Sequence, residues 1–226
     1  MPFPALPAAL ADVRRRIAAA AARGGHGQSV TIIAVTKSFG PGAPAAAYEA
    51  GLADVGENKV QEALDKMARV TVPVRWHLIG HLQRNKVKFT DPFVLVHGMD
   101  SARLADALHA HGVSRGKPVP ALLQVNVTGE ATKGGYTPPD IAAEARRLRA
   151  LDGLHVGGVM TMAPFDAPEP VLRAAFGGAR EARSRLADAG LPATELSMGM
   201  SGDFEIAVEE GATMVRLGTI LFGTRG

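Results

Sequence analysis

The stretch Thr31-Ile-Ile-Ala-Val-Thr-Lys37, followed by Ser38-Phe-Gly-Pro41, decides how the rest of the chain reads. Its β-branched run has the composition of a buried strand. It ends on a lysine, an unusual way to close one. Upstream, residues 5–23 have helical spacing, with Leu6, Leu10, Val13, Ile17 and Ala20 on one face and Arg23-Gly24-Gly25 as a stop. Downstream, Pro44 to Ala50 reads as a helix closed by Gly51.

The strand-then-helix unit recurs along the whole chain. Further strands are expected at 53–56, 74–79, 93–96, 119–125, 154–159, 194–196 and 214–217. Helices are expected at 59–69, 82–89, 101–111, 138–150, 170–189 and 203–210, with a final turn at 220–223. Parallel strands need crossover helices, so alternation implies a parallel sheet. Eight units favour a closed (β/α)8 barrel over an open doubly wound sheet. No Gly-x-Gly-x-x-Gly turn follows the first strand, which removes support for a dinucleotide fold. With no linker or composition break, residues 1–226 are expected to form a single domain.

Bulk composition excludes several function classes. The apolar fraction of 46% allows a sizeable core, and 21% charged residues is ordinary for a globular protein. The 25 basic and 22 acidic residues leave a net charge of +3, too little for a strong field. The run Arg14-Arg15-Arg16 has no aromatic neighbours and reads as a solvated helix face, so no nucleic-acid partner is expected. The absence of cysteine removes disulfides, thiolate nucleophiles and Cys-ligated metals. No apolar run approaches a membrane span, and the order of the first residues is not that of a secretory signal. A cytoplasmic protein without membrane contact is expected.

In a barrel of this kind the active site lies at the C-terminal strand ends. Lys37, Asn58, His81, Asp100, Asn126, Thr161, Ser197 to Ser201 and Gly218-Thr219 all fall there. Lys37 reads either as a rim cation or as a Schiff-base lysine, since desolvation favours the neutral amine that attacks a carbonyl. Ser197-Met-Gly-Met-Ser201-Gly202 and Gly218-Thr219 each lead into a helical turn. Backbone N–H groups at such starts receive anions, and barrels often bind phosphate after strands seven and eight. Either loop alone is better read as a helix cap; both together, opposite a candidate Schiff-base lysine, favour phosphate. Asp203 would repel that phosphate unless its side chain points to solvent. Arg216, inside the apolar run Met214 to Leu217, needs a partner, either a barrel carboxylate such as Glu57 or a cofactor ring nitrogen. The seven histidines form no recognisable metal motif, and no metal is expected.

With these residues assembled, the chain resembles the pyridoxal phosphate (PLP) homeostasis protein family. The motifs are Ala34-Val-Thr-Lys37, Gly56-Glu-Asn58, Trp76-His-Leu-Ile-Gly-His-Leu-Gln83, Gln124-Val-Asn126 with Glu130 and Lys133-Gly-Gly135, Gly158-Val-Met-Thr161, Leu196-Ser-Met-Gly-Met-Ser-Gly-Asp203, and Val215-Arg-Leu-Gly218 with Leu221-Phe-Gly-Thr-Arg225. They run in family order over almost the whole chain. The resemblance implies a barrel like the N-terminal domain of alanine racemases, here with an extra N-terminal helix and no C-terminal β-domain. It implies PLP held as a Schiff base on Lys37 and phosphate on the loops at Met200-Ser201 and Gly218-Thr219. It also implies Arg216 facing the pyridine nitrogen, with Asn58 and His77 lining the pocket. The family's usual His-Ser reads His97-Gly98 here.

A racemase of this type also needs a second base, supplied there by a tyrosine of the β-domain. This chain has two tyrosines, Tyr48 and Tyr136, and only Tyr136, after the flexible Gly134-Gly135, could swing in. The expected role is a monomeric PLP binder acting in PLP and amino-acid homeostasis, with PLP-requiring apo-enzymes as partners. The alternatives are a weak amino-acid racemase and a Schiff-base aldolase acting on a phosphorylated sugar.

Overall fold

A computed structural model describes residues 3–130 and 134–223. Lys133, Thr224 and Arg225, quoted in the motifs above, lie outside the described residues. Eight parallel strands close into a barrel in chain order. They are β1 (Thr31–Val35), β2 (Asp54–Glu57), β3 (Arg75–Leu78), β4 (Leu95–Met99), β5 (Val119–Gln124), β6 (Leu154–Met160), β7 (Glu195–Ser197) and β8 (Met214–Leu217). Closure is made by β1 pairing with β8, with Ala34 opposite Leu217.

Helices α2 (Gly42–Glu49), α3 (Val60–Met67), α4 (Ala102–Ser114), α5 (Ile141–Leu148), α6 (Glu169–Asp188), α7 (Phe204–Glu209) and α8 (Thr219–Phe222) follow the strands. The segment after β3 is a 3-10 helix, Arg84–Phe89, not the α-helix expected over 82–89. The extra N-terminal helix α1 (Leu6–Gly24) buries the five residues its spacing assigned to the core, Leu6, Leu10, Val13, Ile17 and Ala20. Its polar face meets α7 through Arg16–Glu205 at 2.5 Å and Arg23–Glu209 at 2.6 Å.

The main core lies between the barrel wall and the helices, where apolar strand residues meet apolar helix faces. A second, smaller cluster of Leu95, Leu122 and Met160 fills part of the barrel interior. Strand β4 departs from its expected bounds of 93–96. Phe93 and Val94 precede it, and His97-Gly98-Met99 belongs to the strand, because a register shift against β5 between Val96 and Met99 carries pairing further along. No helix among the described residues is long and apolar enough to cross a membrane.

Candidate functional site

Lys37 leaves β1 from a backbone held on both sides. Beneath it Thr36 is fully buried. The Thr36 hydroxyl donates to Glu57 Oε1 at 2.5 Å, and its carbonyl accepts from Lys66 Nζ at 2.8 Å. Above it Ser38 adopts φ 63°, left-handed backbone that a non-glycine residue rarely takes. The Ser38 N–H donates to Glu62 Oε1 at 2.5 Å. Such strain costs roughly 1–3 kcal/mol and persists only where the surroundings hold it. Here the hold comes from Lys66, which reaches Glu57 and Glu62 at 2.8 Å each. Phe39 then stacks against Phe3 and Phe222, ring centroids 5.5 Å away in each case, tying the loop to α8.

The side chain of Lys37 opens into a cavity of about 810 Å³ at the C-terminal strand ends. Every strand contributes to it through its end or the loop that follows. Lys37, Asn58, Ile79, Asp100, Gln124 and Met162 come from β1 to β6 in turn, Met200 to Asp203 follow β7, and Arg216, Gly218 and Thr219 belong to β8 and its loop. Inward positions alternate along a strand, so the residue two before each rim residue lies one layer down. Gly80 has no side chain because its Cβ would stand 2.4 Å from the Asn58 carbonyl oxygen. A second cavity of about 440 Å³ lies at the other end of the strands, between α1 and the starts of β1 to β3.

The two loops after β7 and β8 are joined, since the Ile220 N–H donates to Ser201 Oγ at 3.3 Å. Among the described residues the N–H groups of Ser201, Gly202 and Thr219 find no acceptor. Asp203 does not turn to solvent. Its Oδ1 accepts the Met200 N–H at 2.5 Å, so one loop amide is already taken, and burial pushes its carboxyl above the usual range.

Arg216 is buried, and Glu57 is not its partner. Arg216 Nη1 donates to Ser197 Oγ at 2.7 Å and Nη2 to the Thr161 carbonyl at 2.9 Å, while Glu57 is held by Lys66. Burial pulls the Arg216 guanidinium down to about 10, opposed by the charge of Asp203. His77, expected on the pocket wall, does not reach the cavity; Ile79 takes that place on β3. His77 faces inward one layer lower, its Nδ1 3.0 Å from His97 Nε2 and its Nε2 2.9 Å from Asp54 Oδ1. His97 Nδ1 continues to Ser197 Oγ at 2.8 Å. The structure thus gathers Lys37, Asn58, Met200, Ser201, Arg216, Gly218 and Thr219 at one cavity and places His77 beneath it.

The family described as "Alanine racemase, N-terminal domain" matches residues 9–226. A pyridoxal phosphate homeostasis protein of Pseudomonas aeruginosa is 41% identical over 219 residues, covering 96% of this chain and 94% of that one. One from Aquifex aeolicus is 40% identical, covering 96% of each. The chain belongs to the pyridoxal phosphate homeostasis protein family. PipY of Synechococcus elongatus, solved without PLP and with PLP bound, superposes with TM-scores of 0.87 and 0.85. The two structures are 37% and 36% identical and cover 96% of this chain and 100% of theirs. Alanine racemase from Streptomyces lavendulae, 21% identical with a TM-score of 0.71, shares the fold over 94% of this chain and 57% of its own.

The residues present fit the cofactor that this homeostasis family is named for. A half-buried lysine, unclaimed amides on two adjoining loops and a buried donor-only guanidinium face one cavity. Its volume lies within the range of about 300–1,000 Å³ usual for small-molecule sites. Gly98 abuts the wall of this site: a Cβ there would stand 2.9 Å from the Gly80 carbonyl oxygen. Glycine therefore lets β4 approach the β3 loop closely.

Tyr136 does not swing in. Its hydroxyl donates to Glu144 Oε1 at 2.8 Å, and burial holds its pKa above the usual tyrosine range. Sequence reasoning missed two features. His81 Nδ1 lies 2.9 Å from Asp100 Oδ2, a paired base at the cavity mouth. Lys66 with Glu62 carried a readable signal, an i,i+4 pair, but that spacing usually marks a helix surface. Among the described residues no cluster of three or more His, Asp or Glu could hold a metal ion.

Proposed function

We propose that this protein binds pyridoxal 5'-phosphate as a Schiff base on Lys37 and takes part in intracellular PLP and amino-acid homeostasis. One observation carries the reading. Lys37 shares a cavity with Arg216 and with two loops on which the N–H groups of Ser201, Gly202 and Thr219 find no acceptor among the described residues, in a chain 36% identical to a protein solved with PLP bound. When bound, PLP supplies an aldehyde and an electron-accepting ring. Lys37 provides the amine for that aldehyde. The N–H groups of Ser201, Gly202 and Thr219 receive the phosphate. Asn58 and Met200 line the pocket. Arg216 would hold the ring nitrogen by donating to it; a guanidinium has no acceptor and keeps its proton, so it would disfavour a protonated nitrogen and weaken the ring as an electron sink. The same reading takes residues 1–226 as one PLP-binding barrel, monomeric and cytoplasmic, that passes PLP to apo-enzymes.

Purified protein given PLP should absorb in the visible, and Lys37→Ala should lose the covalently held fraction. A wild-type protein that stays colourless with added PLP contradicts the reading.

A second reading, weak amino-acid racemisation, is favoured by the His81–Asp100 pair at the cavity mouth. A base oriented by a carboxylate is the arrangement proton transfer requires. Exchange of a substrate α-proton with deuterated solvent, faster than with free PLP and lost in His81→Ala, would support it; a rate equal to that of free PLP rejects it.

A further inference from the structure

The hydrogen bonds beneath the cavity form an unbroken column across the barrel. It runs from Arg216 through Ser197, His97 and His77 to Asp54, on β8, β7, β4, β3 and β2. All five residues are buried. The far end opens on the lower cavity, where Arg75 Nε and Nη2 donate to Asp54 at 2.7 and 2.5 Å.

Elementary donor chemistry gives this column a direction. Arg216 can only donate, so Ser197 Oγ accepts from it. The Ser197 hydrogen is then available to His97 Nδ1, which accepts. A neutral His97 carries its proton on Nε2 and donates to His77 Nδ1; His77 in turn carries its proton on Nε2 and donates to Asp54. The ionised carboxylate only accepts, and there the chain ends. The opposite order puts a proton on His97 Nδ1 and leaves His77 needing protons on both nitrogens. That places a second buried cation near Arg216 while Asp54 is already matched by Arg75, an arrangement that low-dielectric surroundings penalise heavily. His97 is fully buried, and that burial, above all, holds it well below the ordinary histidine range.

We propose that Asp54, His77, His97 and Ser197 act as positioning residues for Arg216, a one-way donor chain that fixes its orientation from the opposite end of the barrel. Two N–H groups of Arg216, those to Ser197 and to the Thr161 carbonyl, set the plane of the guanidinium. Its remaining donors are left for the cavity that it lines. The further step, that this sets how the ring nitrogen of PLP is met, rests on the function proposed above.

Two measurements test this. In protein without PLP, long-range ¹H–¹⁵N spectra of the histidine side chains between about pH 6 and 8 should show His77 and His97 neutral with hydrogen on Nε2. A hydrogen on His97 Nδ1, or a doubly protonated His77, overturns the proposal and does so whether or not PLP binds. Ser197→Ala cuts the chain without removing a charge. It should weaken PLP binding by about tenfold and shift the visible absorption of the loaded protein, while PLP remains on Lys37. A variant that melts earlier yet binds PLP with wild-type affinity and spectrum reduces the column to a structural support and overturns it. If wild-type protein takes up no PLP, the function proposed above fails, and the histidine spectra still decide the chain.

Discussion

Lys66 and Lys37 occupy neighbouring corners of the barrel rim, and their surroundings make different things of the same side chain. Lys66 is 5% exposed, and its Nζ reaches Glu57, Glu62 and the Thr36 carbonyl, each at 2.8 Å. Its charge is matched, its donors are used, and its ammonium is held away from any substrate. Lys37, on the residue after the carbonyl that Lys66 grips, points into a cavity of about 810 Å³. One lysine is a structural tie that keeps the other in place. Neighbours, rather than residue type, decide which lysine can hold an aldehyde.

The largest effect expected from breaking this contrast is on the tie. Lys66→Met leaves Glu57 buried and uncompensated and should destabilise the fold by about 3–5 kcal/mol in urea denaturation. Glu57→Gln added to Lys66→Met should recover more than about 1 kcal/mol of that loss, because the two residues act as a unit. Simple additivity would count against the pair.

Two buried carboxylates extend the contrast with opposite signs. For Glu57, burial pushes the carboxyl above its ordinary value despite Lys66. The folded state therefore holds that proton more firmly, and the penalty is present at high pH and relieved as pH falls. Asp54 goes the other way, to about 2 from an ordinary 3.8, held by hydrogen bonds from His77 and Arg75 that outweigh burial. Its contribution is present above 3.8 and lost as pH falls through about 2. A shift of that size is worth about 2 kcal/mol. Asp54→Asn should remove about that much at neutral pH and flatten the stability profile across this acid window, read by urea denaturation at stepped pH.

Smaller effects sharpen the picture at the rim. Gly98→Ser must move the Gly80 carbonyl and should cost about 1 kcal/mol, read as a lower urea midpoint with unchanged slope. Lys37→Ala should change stability by less than about 1 kcal/mol, since Lys37 is only half-buried. A large loss there would mean that Lys37 supports the fold as Lys66 does.

Much of this architecture was legible in the sequence because it depends on local pattern. The helical spacing from Leu6 to Ala20 named the buried face of α1, and the β-branched runs located the strands. Lys37, Asn58, His81, Asp100, Gly218 and Thr219 were legible as cavity residues because closure brings all the C-terminal ends together, whereas Asn126, Thr161 and Ser197, named with them, do not line the cavity. What depends on closure in three dimensions was not legible. Asp54, His77, His97, Ser197 and Arg216 lie on five strands separated by up to 100 residues between hydrogen-bonded neighbours. No spacing rule joins them. His77 was placed on the pocket wall by the resemblance alone, from within the expected strand 74–79; the rim position belongs to Ile79, two residues on. The extent of β4 was misjudged because a register shift against β5 lies inside it. Glu57 was offered to Arg216 because a buried lysine on α3 could not be told from a surface one.

The most direct test is to add PLP to the purified protein, reduce with borohydride, and map the modified lysine by peptide mass spectrometry. The account predicts the adduct on Lys37 in near-stoichiometric yield, with Lys66 unmodified. An adduct on Lys66, one scattered over surface lysines, or none at all would contradict it.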